Sequence, residues 1–256
     1  MKMQTDNNTD NNDDANVLLP LVLKDISVAY TDVPVIEEID LEVRSGEIFG
    51  LMGLNGAGKT TMIKAVLGLR QQQSGTISVY GQESTSRQSK ERLAYLPEKF
   101  EPPWFLTGME FMKFSLSLYK RPFDREEVIE AAHKLALDTQ ALERRMHTYS
   151  KGMRQKLGLL GTLLTRCSLF ILDEPMSGLD PKARALVKRM ITDMRSLERT
   201  IFLSSHILAD MDEICDRVAI LHDGKIRYVG TPDELKRRTN KGYLEQAYLE
   251  FIEHAR

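Results

Sequence analysis

Tryptophan occurs once in this sequence, at Trp104, and cysteine twice, at Cys167 and Cys215. The two cysteines have no metal-ligand spacing, so a reduced, cytosolic chain is the expectation. Long apolar runs are missing as well. No stretch approaches the roughly 20 residues that a membrane helix needs, so work at a membrane would require docking onto another subunit. The N-terminus lacks the basic-then-apolar pattern of a secretory signal. An excess of one charge is also missing: the net charge is −2 with 28% charged residues, which removes a global basic field as an argument for nucleic acid. No internal repeat is visible, so each motif occurs once. The 256 residues suffice for one large α/β domain or two small ones with a sizeable core.

What is present begins with an Asn/Asp-rich tail over residues 1–16, too poor in apolar side chains to offset the cost of ordering, and so expected to be disordered. The stretch around which the rest is organised is Gly53-Leu54-Asn55-Gly56-Ala57-Gly58-Lys59-Thr60-Thr61. It fits G-x-x-x-x-G-K-[ST], the loop that wraps nucleotide phosphates. Its glycines permit backbone angles at which successive N–H groups converge on phosphate oxygens. Lys59 is placed to reach the β- and γ-phosphates, and the Thr60 hydroxyl is a ligand for Mg²⁺. Residues 48–52 read as a buried strand leading in. Thr61 to Leu67 reads as a helix leading out, with Ile63, Val66 and Leu67 on one side. The phosphates of a nucleoside triphosphate would then lie at a helix N-terminus.

Ahead of the loop, Leu21 to Tyr30 and the alternating Ile39, Leu41 and Val43 predict two antiparallel strands. Tyr30 could stack on adenine or be an ordinary sheet tyrosine. After the loop, Gly75 to Gly81 predicts another edge strand and Leu93 to Leu96 a short buried one, ending near Glu98. An irregular aromatic stretch, Phe100 to Leu106, precedes a capping box of Thr107 and Glu110, and Asp124 with Glu127 repeats that arrangement. Ser150 reads as the N-cap of a helix bearing Met153, Leu157, Leu160 and Leu164. The apolar run Leu169 to Leu172 reads as a strand buried on both faces, ending in Asp173 and Glu174. Two adjacent carboxylates at a buried strand end are costly; a Mg²⁺ ligand beside a base for water explains them better than a structural pair. Pro181 opens a helix that runs to about Arg195, and Thr200 to Ser204 forms a further strand with His206 just past its end. Ligands of open α/β sheets bind at such carboxyl edges. Asp223-Gly224 marks a hairpin, Thr231 caps another helix, and an amphipathic segment follows around Leu244, Tyr248 and Phe251.

Taken in this order, the motifs resemble the ATP-binding subunit of an ABC transporter, over nearly everything from Leu21 to Arg238. The resemblance implies a P-loop NTPase core with a parallel sheet, an antiparallel β subdomain and a helical subdomain. It implies a tail at 1–19, an ATPase domain at 20–238 with its helical subdomain at about 100–165, and a helical segment at 239–256. By resemblance Tyr30 stacks on adenine, Glu98 holds the Q-loop position, and Ser150 to Gln155 is the signature motif. Asp173 and Glu174 then end the Walker B strand, Ser177 to Asp180 is the D-loop, and His206 is the switch histidine. The implied cofactors are ATP and Mg²⁺. Thr60, Asp173 and Glu98 would surround the metal, Glu174 would position or deprotonate water, and Lys59 and His206 would contact phosphate. Ser150, Lys151 and Gly152 would meet a second ATP across a head-to-tail homodimer. Two departures stand out: Lys151, Gly152 and Met153 replace the two glycines and glutamine usual after the signature serine, and Glu98 replaces the usual Q-loop glutamine. The variant Tyr-Ser-Lys-Gly-Met-Arg-Gln is similar to that of exporter ATPases in the drug and antibiotic efflux group, encoded apart from their permease. The implied partner is an integral membrane permease docking at residues 98–114, on the cytoplasmic face of the membrane, with no nucleic acid. The alternative is a soluble ABC ATPase acting in DNA repair or translation.

Overall fold

In a computed structural model, residues 18–31, 33–195 and 199–254 are described. The tail expected over 1–19 therefore lies outside the described residues up to position 17. Leu18, by contrast, rests against Gly81, where an added Cβ would stand 2.8 Å from its side chain.

In chain order the elements are β1 (Leu21–Ala29), β2 (Pro34–Val43), β3 (Ile48–Met52), α1 (Lys59–Val66), β4 (Ser74–Val79), β5 (Gln82–Glu83), α2 (Arg87–Arg92) and β6 (Leu93–Leu96). Next come α3 (Gly108–Leu118), α4 (Arg125–Lys134) and α5 (Lys151–Leu163), with two 3-10 turns between the last two. The remainder is β7 (Leu169–Asp173), α6 (Pro181–Arg195), β8 (Thr200–Ser205), α7 (Leu208–Ile214), β9 (Arg217–His222), β10 (Lys225–Gly230), α8 (Pro232–Thr239) and α9 (Leu244–His254).

The strands form two sheets. One is antiparallel in the order β2-β1-β4-β5, the other runs β10-β9-β3-β8-β7-β6 and is parallel except for β10. Strands β3, β7 and β8 are buried at every position, as apolar runs covered on both faces require. One core lies between the sheets: Phe49, Leu51, Ile171 and Phe202 meet Ile26, Ile39 and Leu41 there, together with Met62 and Ile63 of α1. Phe49 and Phe202 stack with ring centroids 5.9 Å apart. The second core covers the other face, where Ile48, Leu172 and Leu203 pack against α3 to α9. The helical insert shares this core: Phe111, Met112 and Val128 join it.

Two sequence expectations need correction. β4 is not an edge strand, because the two-residue β5 pairs along its outer side; so short a strand carries no periodicity to read. Thr107 and Glu110 form the full reciprocal capping box, whereas Asp124 only accepts from the N–H groups of Glu126 and Glu127. The helix from Pro181 to Arg195 matches the reading, and so does the hairpin, whose turn residues Asp223 and Gly224 both have positive φ. The register then sets the site. Met52 pairs with Ser205, and Asp173 with Ser204, so the phosphate loop, the carboxylate pair and His206 leave one edge of one sheet.

Candidate functional site

The phosphate loop is shaped by two close approaches. A Cβ at Gly53 would stand 2.6 Å from the Leu221 carbonyl, and one at Gly58 would stand 2.5 Å from Ile36, at a φ of +108°. Gly58 is also the N-cap of α1 and offers no side chain, so the first N–H groups of the helix keep their donors for an anion. Lys59 is buried and folded back: its ammonium donates to the carbonyls of Gly53 at 2.7 Å and Leu54 at 3.4 Å.

Opposite the loop stands the carboxylate pair. Asp173 is 1% exposed; its Oδ1 accepts from the Ser204 hydroxyl, and its Oδ2 from the Thr60 hydroxyl at 3.4 Å. Burial pushes the Asp173 carboxyl above its ordinary range. Ser204 opposes that shift, the nearby Glu98 charge adds to it, and Thr60 and Lys59 offset it more weakly. Glu174 holds a left-handed backbone at φ 49°, unusual for a non-glycine residue and strained by about 1–3 kcal/mol. Its N–H donates to both the carbonyl and the hydroxyl oxygen of Ser204, at 3.2 and 3.1 Å. The Glu174 carboxylate meets His206 Nδ1 at 2.8 Å. Ser204 thus holds the Asp173 carboxylate and the Glu174 backbone, a role that the sequence reading missed; a hydroxyl following the apolar run at 201–203 was its only signal.

These groups wall a 510 Å³ cavity with Leu54, Asn55, Gly56, Gly58, Lys59, Thr60, Thr61, Glu98, Asp173, Glu174 and His206, and with Val35, also unforeseen. Gly53 and Ala57 stand behind the wall: Gly53 holds the lysine and Ala57 packs on the inter-sheet core. Among the described residues no group of three or more His, Cys, Asp or Glu could cage a metal. Thr60 and Asp173 together offer oxygen ligands of the kind Mg²⁺ takes when phosphates and water supply the rest. The donor set fits that ion.

Other predicted residues lie elsewhere. Tyr30 is half exposed outside the cavity wall, with the Arg70 guanidinium 4.2 Å from its ring centroid. Arg70 in turn donates to the Ala29 carbonyl at 2.6 Å. Ser150 caps α5, accepting from the Met153 N–H at 3.2 Å, and neither it nor Lys151 nor Gly152 lines the cavity. They sit beside the turn at 177–180 instead: the Lys151 side chain lies along Gly178, and Leu179 faces Gly152. Gln155, one turn on, donates to the Pro175 carbonyl at 3.1 Å and ties this helix to the segment after Glu174.

The profile of a family described as ABC transporter matches residues 36–177. An uncharacterized ABC transporter ATP-binding protein of Nostoc is 38% identical over 208 residues, covering 80% of this chain and 62% of that one. A fluoroquinolones export ATP-binding protein of Mycobacterium tuberculosis is 38% identical over 208 residues, covering 79% and 67%. A solved structure of the ATP-binding subunit of an ABC transporter superposes with a TM-score of 0.84 at 32% identity, over 91% of this chain and 99% of that one. The chain therefore spans about three fifths of the length of the Nostoc relative.

Proposed function

This chain belongs to the ABC transporter family as an ATPase domain, and from that premise we propose that it powers a separate membrane permease by hydrolysing ATP in a head-to-tail dimer. One observation carries the reading: the phosphate loop, Asp173, Glu174 and His206 share one cavity, while Ser150, Lys151 and Gly152 stand outside it. A signature that stands outside the cavity of its own phosphate loop supports its completing the site of a second copy.

In the proposed site Lys59 leaves its two carbonyls and, with the loop amides and the α1 N-terminus, binds the β- and γ-phosphates. Tyr30 takes the adenine on its open face. Thr60 and Asp173, with Glu98 beside them, would hold Mg²⁺, which when bound neutralises phosphate charge. Glu174, oriented by Ser204 and His206, positions or deprotonates the attacking water, and His206 reaches the γ-phosphate. Phosphoryl transfer rests on such positioning and charge stabilisation.

The permease docks at residues 98–114. The aromatic stretch supports this because it divides in two. Phe100 and Phe111 pack edge to face at 5.4 Å, whereas Trp104, Phe105 and Phe114 are exposed at 66%, 56% and 49%. Exposed apolar clusters mark interaction sites. No helix among the described residues is long and apolar enough to cross a membrane; with a permease as its partner the chain would sit peripherally on the cytoplasmic face. The signature variant and the export role named for the Mycobacterium relative support export. We take residues 20–238 as the ATPase domain, with the helical subdomain at about 100–165, followed by a further segment that carries α9.

The test is Glu174→Gln, followed by ATP turnover and by light scattering after size exclusion. Turnover should fall on the order of 10²–10³-fold, the scale seen when one oriented group is lost, while ATP still binds and the chain elutes as a dimer. Turnover near wild type, or a monomer at every ATP concentration, would overturn the proposal.

A further inference from the structure

The two segments that leave the Glu174–His206 pair each run into a helix. α6 starts at Pro181, just past the turn at 177–180 that follows Glu174, and α7 starts at Leu208, shortly after His206. Near those starts the helices are joined by charge. Asp210, in the first turn of α7, is 2% exposed. Its Oδ2 accepts two guanidinium N–H bonds from Arg184, at 2.6 and 3.2 Å, and Lys188 stands 3.3 Å from its Oδ1. Lys188 divides itself between Asp210 and Glu213, whereas Arg184 brings both bonds to one oxygen.

Depth makes this pair informative. A carboxylate sealed from water is costly unless it is paired. Apolar packing between the same helices was available, since Met211 and Ile214 of α7 share a core with Val187, Met190 and Ile191 of α6. Buried ion pairs can often be exchanged for apolar side chains without loss of stability. What the charged pair adds is direction, because a guanidinium bound through two N–H groups fixes an angle as well as a distance.

The contacts on either side of the pair close a circuit that begins and ends at Glu174. The Glu174 carbonyl accepts from the Ser177 N–H at 3.0 Å. Asp180 then accepts from Ala183 N–H on its carboxylate and from Arg184 N–H on its carbonyl, each at 2.9 Å. Arg184 crosses to Asp210. The Asp210 N–H donates to the Ile207 carbonyl at 3.1 Å, and the Ile207 N–H to the Ser205 hydroxyl at 3.0 Å. His206 lies between those two residues, and its Nδ1 returns to Glu174 at 2.8 Å. Only two links in this circuit join residues far apart in sequence: His206 with Glu174, and Arg184 with Asp210. The His206 side chain is 50% exposed, so close packing does not hold its imidazole; the backbone that carries it must.

We infer that Arg184 is a positioning residue for the proposed hydrolysis. Through Asp210 it sets where α7 begins, and so holds the His206 imidazole against the Glu174 carboxylate. The inference rests on the nucleotide site proposed above.

Two variants of the full chain test it. Arg184→Lys keeps a charge beside Asp210 but loses the two-pronged contact, while R184M combined with D210L removes both charges and keeps the space filled. Both should melt close to wild type and bind ATP with unchanged affinity in titration calorimetry, because the phosphate loop is untouched. Turnover should fall about tenfold to a hundredfold, the scale of a misplaced reacting group, with the loss in kcat and KM unchanged. In single turnovers on the His206→Ala chain, adding R184K should slow hydrolysis no further, since the group that it positions is gone. A merely structural pair behaves differently: R184K restores the charge balance and full turnover, or activity falls only in step with melting. Either result overturns the inference, as does a loss carried by KM or an equal loss in the His206→Ala background. Glu174→Gln separates the two levels. If it turns over near wild type, the site itself falls and the inference with it; if it loses turnover while R184K keeps it, the inference alone falls.

Discussion

At the scale of single residues the site is a set of costs held in place. Asp173 is almost fully buried, and its carboxyl is raised mainly by that burial. The sign of the linkage follows directly. An acid whose folded pKa exceeds its unfolded value releases its proton first from the unfolded chain, so stability falls as pH rises above the ordinary carboxylate range. Asp173→Asn should therefore raise the melting temperature of the nucleotide-free protein at neutral pH, by about 2–4 °C for each kcal/mol recovered, while Mg²⁺-dependent turnover collapses. The gain should shrink on acidification, as wild type takes up the proton itself; scanning melts across pH check both parts. A variant less stable than wild type at neutral pH would mean that the Ser204 and Thr60 hydroxyls more than offset the burial. Much of this site was legible in sequence, because Lys59, Thr60, Asp173 and Glu174 are announced by a loop motif and a strand that ends in acids. Ser204 was not, since its partners lie 30 and 31 positions away and a pairing across strands leaves no local pattern. Tyr30 read only halfway: its position at the end of β1 was clear, but the Arg70 guanidinium on its ring was not.

At the scale of elements, the aromatic stretch shows how a segment without regular structure is held. Its end is stapled by backbone: Met146 N–H donates to the Leu106 carbonyl at 2.9 Å and His147 N–H to that of Trp104 at 3.2 Å. Thr107 then starts α3 with a reciprocal box, accepting from the Glu110 N–H at 3.1 Å while Glu110 accepts from the Thr107 N–H at 2.8 Å. Thr107→Ala should cost about 1 kcal/mol and lower the melting temperature by about 2–4 °C, with ATP turnover of the isolated chain unchanged. A drop in turnover at equal melting temperature would assign Thr107 a role in the site instead. Caps of this kind were readable because their partners are three residues apart, and so were α6 and the hairpin at Asp223-Gly224. Elements defined by a distant partner were not. β5 exists only because two residues pair with β4, and Asp124 caps α4 without the return bond that Glu127 had suggested.

At the scale of the whole molecule, the sheet order β10-β9-β3-β8-β7-β6 could not be read from spacing, because parallel neighbours are joined through helices and lie far apart in sequence. What the order accomplishes is a division of surfaces. The carboxyl edge gathers the phosphate loop, both acids and His206, and Lys151 and Gly152, of the proposed signature, are left beside the turn at 177–180, outside that cavity. The exposed rings of Trp104 and Phe105 lie edge to face at 5.8 Å, also outside the cavity wall. Glu98 belongs to the cavity wall and stands only six residues before Trp104, so a partner docked on the rings would bear on the short segment that leads from the cavity. A partner that docks there should therefore change turnover as well as bind. Trp104→Ala removes the most exposed of the three rings at the cost of little core packing. The isolated variant should melt and hydrolyse ATP like wild type. Recovered from its native membranes through an affinity tag, wild type is expected to bring down a multi-spanning protein in stoichiometric amount; the variant should lose most of it, and ATP turnover in its recovered fraction should fall to that of the chain alone. Equal recovery with wild-type turnover would move the docking surface away from residues 98–114.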